Sequence, residues 1–396
     1  MNKVETDESQ EQSRSDPIQS SLKTLIFDLD GVITSETRYW NTARLTVWEL
    51  IESDRYLGLN GYFSDTVRSP DRVLQVAEAV IAKSFIYQLK SRAVNSNWDL
   101  TFFVFCLHLI GILKRFSQLH PDAKLAALFE SDSPISDRLQ YIGQYLKAER
   151  YTASTSDTII ETFWQQTRSL TGSAVLDFAT TFAAQVLGTE LPFILGKGEL
   201  WQLCYDNFQD WYEGKKGYTL PDDETVLERT RIDDTLQTLT ASGRYTLAIA
   251  TGRPRNEVLQ PLTALGLLPY FDPERIVTYD EVLAAESVLA GMGQAMKLGK
   301  PHPFVLFKAL YPDEPIENVL ARVDGGVNRC TAAYIGDAAS DVVAAKQAGC
   351  LSIGVLTGFS ADPTGSDRRT MLESLACDVI LKSILELPQW LEGQVR

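Results

Sequence analysis

Two kinds of hydrophobic pattern divide the chain. Short runs free of charged residues stand at 25–27, 245–251, 276–277, 332–335 and 351–355, and the first, second and fourth are followed at once by Asp28, Gly252 and Gly336. This is the signature of strands buried on both faces of a parallel sheet. Between them the spacing predicts helices over about 224–242, 256–265, from near Pro303, and over 341–348, with the segment 379–385 closing the domain. Strands alternating with helices in this way predict a mostly parallel, three-layer α/β sheet. From about Thr42 to residue 218 the pattern is different. Val73, Val76, Ala77, Val80 and Ile81 follow the three-and-four spacing of an amphipathic helix. Further helical patterns cover about 100–117, 121–130, 136–149, 157–168 and 173–187, with Pro121, Pro134 and Pro192 as breakers between them. The chain therefore reads as a core formed by 21–41 and 219–396, with a mainly α-helical domain inserted at 42–218. Residues 1–20 are polar and lack an apolar core, so they read as a disordered tail rather than a signal peptide. The glycine-rich stretch 291–299 reads as mobile and 311–330 as a surface excursion.

Composition narrows the range of partners. A net charge of -15 argues against nucleic acid or an anionic membrane as the main partner, yet it leaves room for a phosphorylated small molecule. The apolar run 100–113 is too short to span a bilayer and is flanked by Asp99 and Lys114-Arg115, so it reads as a buried helix with His108 in its core. Cys106, Cys204, Cys330, Cys350 and Cys377 are scattered and form no CxxC pair. They read as reduced thiols of a cytoplasmic protein rather than as a disulfide framework or a zinc site. A homo-oligomer is left open.

Chemistry enters where strands end. Leu25-Ile26-Phe27 runs directly into Asp28, Asp30 follows, and Gly31 breaks the strand. A carboxylate behind three large apolar residues must be paired, protonated or metal-bound. Thr251-Gly252-Arg253, Gly299-Lys300-Pro301 and the 336–341 segment from Gly336-Asp337 to Asp341 read as three further strand-loop junctions that carry polar residues. In a parallel sheet these ends converge on one edge. Singly, Asp30-Gly31 could be a turn, Asp337 and Asp341 helix-start residues, and Lys300 a solvated loop lysine. Together, in this order, they read as one site for an anionic substrate. Clustered carboxylates need a cation, and an all-oxygen donor set favours magnesium over zinc or iron.

Four segments, DLDGVIT at 28–34, ATGRP at 250–254, GKPHP at 299–303 and GDAASD at 336–341, resemble the motifs of the haloacid dehalogenase superfamily. The nearest likeness is to its phosphoglycolate phosphatase and β-phosphoglucomutase group. The resemblance covers about 21–36 and 235–385, and the inserted segment matches the family only in its position, as an unusually long cap. It implies a Rossmann-like core and a magnesium-dependent phosphatase acting on a small phosphorylated metabolite through an aspartyl-phosphate. Asp28 would be the nucleophile and Asp30 the acid and base. Asp28, the Asp30 carbonyl, Asp337 and Asp341 would hold magnesium, and Thr251, Gly252 and Lys300 would hold phosphoryl oxygens. Glu36, near the cap entry, and Arg253 are further candidates for substrate contact, with a hinge salt bridge as the alternative for Arg253. Asp30 argues against dehalogenation, and phosphonate cleavage would call for a cap lysine that the sequence does not single out. A sugar-phosphate mutase shares the same core residues, and a non-catalytic binding protein is the reading from a different class.

Overall fold

The computed structural model describes residues 21–393 apart from 95, 123–124, 126–128, 130–132, 148–149, 192–193, 195, 324–330 and 359–364. The expected tail, most of the helix expected at 121–130, Pro192 and Cys330 lie outside the described residues.

Six strands form one sheet: β1 (Thr24–Phe27), β2 (Thr246–Ala250), β3 (Ile276–Val277), β4 (Ala332–Gly336), β5 (Leu351–Val355) and β6 (Val379–Leu381). Their order is β3-β2-β1-β4-β5-β6 and every pair is parallel. The period of two separates the faces. Leu25, Phe27, Leu247, Ile249, Ala333 and Ile335 face one core, which the helices Arg229–Ala241, Asn256–Ala264 and Leu387–Leu391 cover. Ile26, Ala248, Ala250 and Tyr334 face the other, under the helices Tyr279–Gly291, Phe304–Leu310 and Ala339–Ala348. Both faces are dry, which explains the absence of charge within the strands. This is the three-layer α/β arrangement that the sequence predicts.

A third, separate hydrophobic cluster runs from Tyr39 to Leu220. Its helices include α1 (Thr37–Glu52), α2 (Lys83–Lys90), α3 (Asn97–Leu119) and α4 (Glu199–Tyr212). Helix α3 is central. It is longer than the apolar run within it, and it is long and apolar enough to cross a membrane; 83% of its most apolar window is nevertheless buried inside the protein, as in a core helix. Phe102, Phe103 and Phe105 are all fully buried there.

Several local expectations need correcting. The pattern at 73–81 is not one helix but two short ones, Pro70–Gln75 and Ala77–Val80, because Val76 leaves helical geometry at φ -106°, ψ 30°. The helix expected from 224 starts at Arg229, since Thr225 pairs with Thr34 in an antiparallel bridge. The excursion at 311–330 contains the helix Ile316–Val323, anchored by buried Val319. In the glycine-rich stretch, Leu298 is buried and its N–H donates to Glu286, which also pairs with Lys297. Sequence patterning overlooked α1, α2 and α4.

The two crossings between core and helical layer lie side by side. Ser35 N–H donates to the Glu224 carbonyl at 2.7 Å, and Val226 N–H donates to the Ile33 carbonyl at 2.9 Å. A short two-stranded hinge thus joins the outgoing and returning chain next to the loop that follows β1.

Within the helical layer, His108 Nδ1 is bonded to the Tyr62 hydroxyl at 2.9 Å, and burial pulls the imidazole down to about 4. A folded-state value below the unfolded one means that the unfolded chain takes up the proton first as pH falls. Stability from this group is therefore complete above about pH 6.5 and is lost as pH falls toward 4, on the order of 3 kcal/mol in all. Urea denaturation at pH 7, 5.5 and 4.5 should show this fall, and it should flatten in His108→Gln.

Candidate active site

Because all six strands are parallel, their carboxyl ends share one edge. The chain leaves β1 toward β2 and β3 on one side and returns to β4 on the other, so β1 and β4 flank the switch point where open α/β sheets form their ligand crevice. Asp28 follows β1 and Asp337 follows β4. The register fixes their proximity: Phe27 is level with Ile335, and Asp28 N–H donates to the Ile335 carbonyl at 2.8 Å.

Lys300 binds this edge together, although it follows the helix Tyr279–Gly291 and a loop rather than a strand as expected. Its Nζ lies 2.9 Å from Asp28 Oδ2 and 2.8 Å from Asp341 Oδ1, and it donates to the Tyr334 hydroxyl at 3.0 Å. Tyr334 in turn donates to the Ala250 carbonyl at 2.9 Å, which ties β4 to β2 beneath the lysine. Asp341 Oδ2 accepts from the N–H groups of Asp337 and Ala338 at 3.1 and 3.0 Å, capping the helix Ala339–Ala348. Burial pulls the Lys300 ammonium down, but Asp28 and Asp341 outweigh that and hold it well above its usual range. Burial pushes the Asp28 carboxyl up to about 8, reinforced by Asp341, Asp30 and Asp337 and opposed by Lys300.

Asp28, Asp337 and Asp341 each offer an oxygen within 4.8 Å of the others, and all three are buried. The donor set is purely carboxylate, which fits a hard divalent cation. The surrounding backbone leaves room for these carboxylates and little else. A Cβ on Gly31, whose φ is +76°, would lie 2.5 Å from Asp337 Oδ2, and one on Gly358 would lie 1.7 Å from it. Thr357 secures the two loops to each other by donating to the Gly31 carbonyl at 2.8 Å.

Two residues that the sequence did not single out also reach Asp337. Arg368 Nη1 donates to its carbonyl and to Oδ2, both at 2.6 Å. Lys90, at the end of α2 in the helical layer, lies 3.9 Å from the same oxygen and 2.5 Å from Glu36 Oε2. Burial pushes Asp337 up, but Lys90 and Arg368 outweigh it and hold the carboxyl below its ordinary range. Glu36 is pushed up to about 7 by burial, against the pull of Lys90. In α2 a closing lysine after KSFIYQL reads as a solvated helix end, so no sequence signal marked it.

The remaining candidates lie around this cluster. Thr251 and Gly252 follow β2, next to β1; Thr251 is buried and its N–H donates to the Val277 carbonyl at 3.0 Å. Glu36 is engaged with Lys90. Arg253 is buried and directs its guanidinium to Asp30: Nε donates to Oδ1 at 3.0 Å and to Oδ2 at 2.9 Å, and Nη2 also reaches Oδ1. His302 accepts from Phe304 N–H at 3.2 Å and so shapes the start of a helix.

Residues 206–355 match the sequence model of the haloacid dehalogenase-like hydrolases. That span holds Thr251, Arg253, Lys300, Asp337 and Asp341, while Asp28 and Asp30 precede it across the insertion. A phosphoglycolate phosphatase of Mannheimia succiniciproducens is 24% identical over 174 residues, 38% of this chain and 62% of that protein. One of Salmonella choleraesuis is 31% identical over 129 residues, 33% of this chain and 40% of that protein. The chain thus spans less than two thirds of the length of these curated relatives. A crystal structure from the Northeast Structural Genomics Consortium is similar over 94% of this chain and 99% of its own, with 29% identity and a TM-score of 0.68. That likeness extends across the helical layer as well as the sheet.

The buried carboxylates give a test of their own. A carboxyl raised in the folded state loses stability as pH rises from its unfolded value, near 4, through about 8. In a chelator, Asp28→Asn should therefore melt several degrees above the wild type at pH 8, and the gain should shrink toward pH 5 in thermal melts.

Proposed function

We propose that the chain, similar over residues 206–355 to the haloacid dehalogenase-like hydrolases, is a magnesium-dependent phosphatase of that superfamily acting on a small phosphomonoester. A sugar phosphate or a phosphoglycolate-like ester is the substrate class. The observation that carries this reading is the Lys300 ammonium shared by Asp28 and Asp341 at the switch point of the sheet. It places a fixed cation beside a buried carboxylate, where the negative phosphoryl group must approach.

Asp28 attacks phosphorus and becomes an aspartyl-phosphate. Asp30 gives a proton to the departing oxygen, then takes one from the water that hydrolyses the intermediate. Lys300, the Thr251 hydroxyl and the Gly252 N–H hold phosphoryl oxygens as charge shifts among them. The carboxylates of Asp28, Asp337 and Asp341 with the Asp30 carbonyl would hold magnesium. When bound, the ion would offset the repulsion between the nucleophile and the phosphoryl oxygens.

The helical layer reaches the site directly. Glu36, Trp40 and Lys90 line a cavity of only about 10 Å³, beside the contact of Lys90 with Asp337. Lys90 itself comes from that layer, so the cap covers the site and restricts water while the phosphoryl group is transferred. Raised above its usual range by Glu36 and Asp337 despite burial, Lys90 stays protonated, which does not suit Schiff-base chemistry. The described cysteines are free and three of the four are buried, in keeping with a reducing, cytoplasmic setting.

A phosphate-release screen with sugar phosphates, phosphoglycolate and nucleotides, with and without magnesium, tests the reading. Turnover should require magnesium, and Asp28→Asn should lower kcat by at least about a thousandfold. Turnover kept by Asp28→Asn would remove the nucleophile assignment. Isomerisation of a hexose phosphate without free phosphate would instead identify a mutase.

A further inference from the structure

Arg253 stands where the core, the hinge and the helical layer meet. From Asp30, which it grips through Nε and Nη2, its guanidinium extends to the returning strand of the hinge, with Nη1 and Nη2 each 3.3 Å from Asp223 Oδ1. Nη1 also donates to the Glu257 carbonyl at 3.2 Å, and Nη2 to the Thr34 hydroxyl at 3.3 Å on the outgoing strand. Its flat face lies over the Tyr39 ring, 4.5 Å from the centroid, in the first turn of α1. Tyr39 is fixed in turn by donating to the Glu257 carboxylate and by stacking on Tyr212 at 5.1 Å. Arg38, also in α1, approaches Asp223 from the other side at 3.8 Å. One buried side chain therefore touches the loop after β1, both hinge strands and the helical layer.

We infer that Arg253 is a positioning residue that ties the Asp30 carboxylate to the hinge, so that the place of the acid depends on the place of the cap. A guanidinium fork fixes the plane of a carboxylate as well as its position. Asp223 and Tyr39 fix the fork. A shift of either relative to the core must carry Arg253 or break its bonds, and Asp30 responds in both cases. This inference rests on the phosphatase reading.

The dependence falls on one part of the reaction. As the bond from Asp28 Oδ to phosphorus forms, the bond from phosphorus to the leaving oxygen breaks and its electron pair stays on that oxygen. An alkoxide leaving group takes the proton of the Asp30 carboxyl, which becomes a carboxylate. Acetate leaving from acetyl phosphate is already a stable anion and needs no proton. Misplacing Asp30 therefore penalises kcat/KM for an alkyl phosphate and spares kcat/KM for acetyl phosphate, because kcat/KM ends at release of the leaving group. The later hydrolysis of the aspartyl-phosphate, where Asp30 is the base, is common to both and enters kcat. General damage to the site penalises kcat/KM for both.

The test compares β-glycerol phosphate with acetyl phosphate, by kcat/KM with magnesium, in wild type, Asp223→Asn and Arg253→Lys. Asp223→Asn removes the charge that steers the fork without touching Asp30. Arg253→Lys keeps the charge and loses the fork. We expect each to lower kcat/KM for β-glycerol phosphate about tenfold or more, against less than about threefold for acetyl phosphate. Equal losses on both esters, or no loss in either variant, would overturn the inference while leaving the phosphatase reading intact. A wild type inert toward both esters and toward every ester of the phosphate-release screen would overturn the phosphatase reading itself, and the inference with it; an ester that the screen finds turned over takes the place of β-glycerol phosphate. Thermal melts establish that each variant folds, and should Arg253→Lys fail to fold, Asp223→Asn decides alone.

Discussion

Three carboxylates within 4.8 Å of one another, all buried at one sheet edge, are the constraint on which the rest of the structure depends. In isolation such an arrangement repels itself and resists desolvation. The protein offsets this with cations drawn from three places: Lys300 from a loop, Arg368 from the helix Ser366–Ser374, and Lys90 from the helical layer. Backbone completes the work. Two N–H groups hold Asp341, and two glycines let the loops after β1 and β5 close on Asp337. Little in the site is left to flexible side chains, so charge development on a substrate would meet an already ordered environment.

What was legible in the sequence follows from how local each signal is. The sheet could be read because burial on both faces leaves unbroken apolar runs, and each run stops where the chain meets the site. Asp28 and Asp337 stood out for the same reason, and Lys300 and Asp341 for their order relative to them along the chain. Lys90, Arg368, Asp223 and Glu257 did not, since each sits on a polar helix face or linker and gains its partner only through tertiary contact. Helix α4 was overlooked because its buried face is made of Leu200, Cys204, Phe208 and Trp211 set among polar residues. The 73–81 pattern failed for the opposite reason: correct spacing, but a backbone break at Val76 that spacing cannot report.

The helical layer has a core of its own, separate from the two cores that sandwich the sheet. It nevertheless contributes charge to the site, through Lys90, and aromatic surface to the hinge, through Tyr39. Its packing therefore bears on the carboxylate edge at two points, one over Asp337 and one behind Asp30. A change deep in the cap can reach the reaction centre by moving either.

The paired crossing at Ile33–Ser35 and Glu224–Val226 has a consequence for how such a protein can change over evolutionary time. The insertion leaves and returns through neighbouring backbone atoms, so the core experiences it only as a closed loop. The entropy of closing a loop grows slowly with length, about 0.6 kcal/mol for each doubling. Helices can be added to or removed from the insertion while the sheet, its register and its carboxylates remain as they are. A sheet built this way can keep its carboxylate edge while the helical layer above it grows, shrinks or is exchanged.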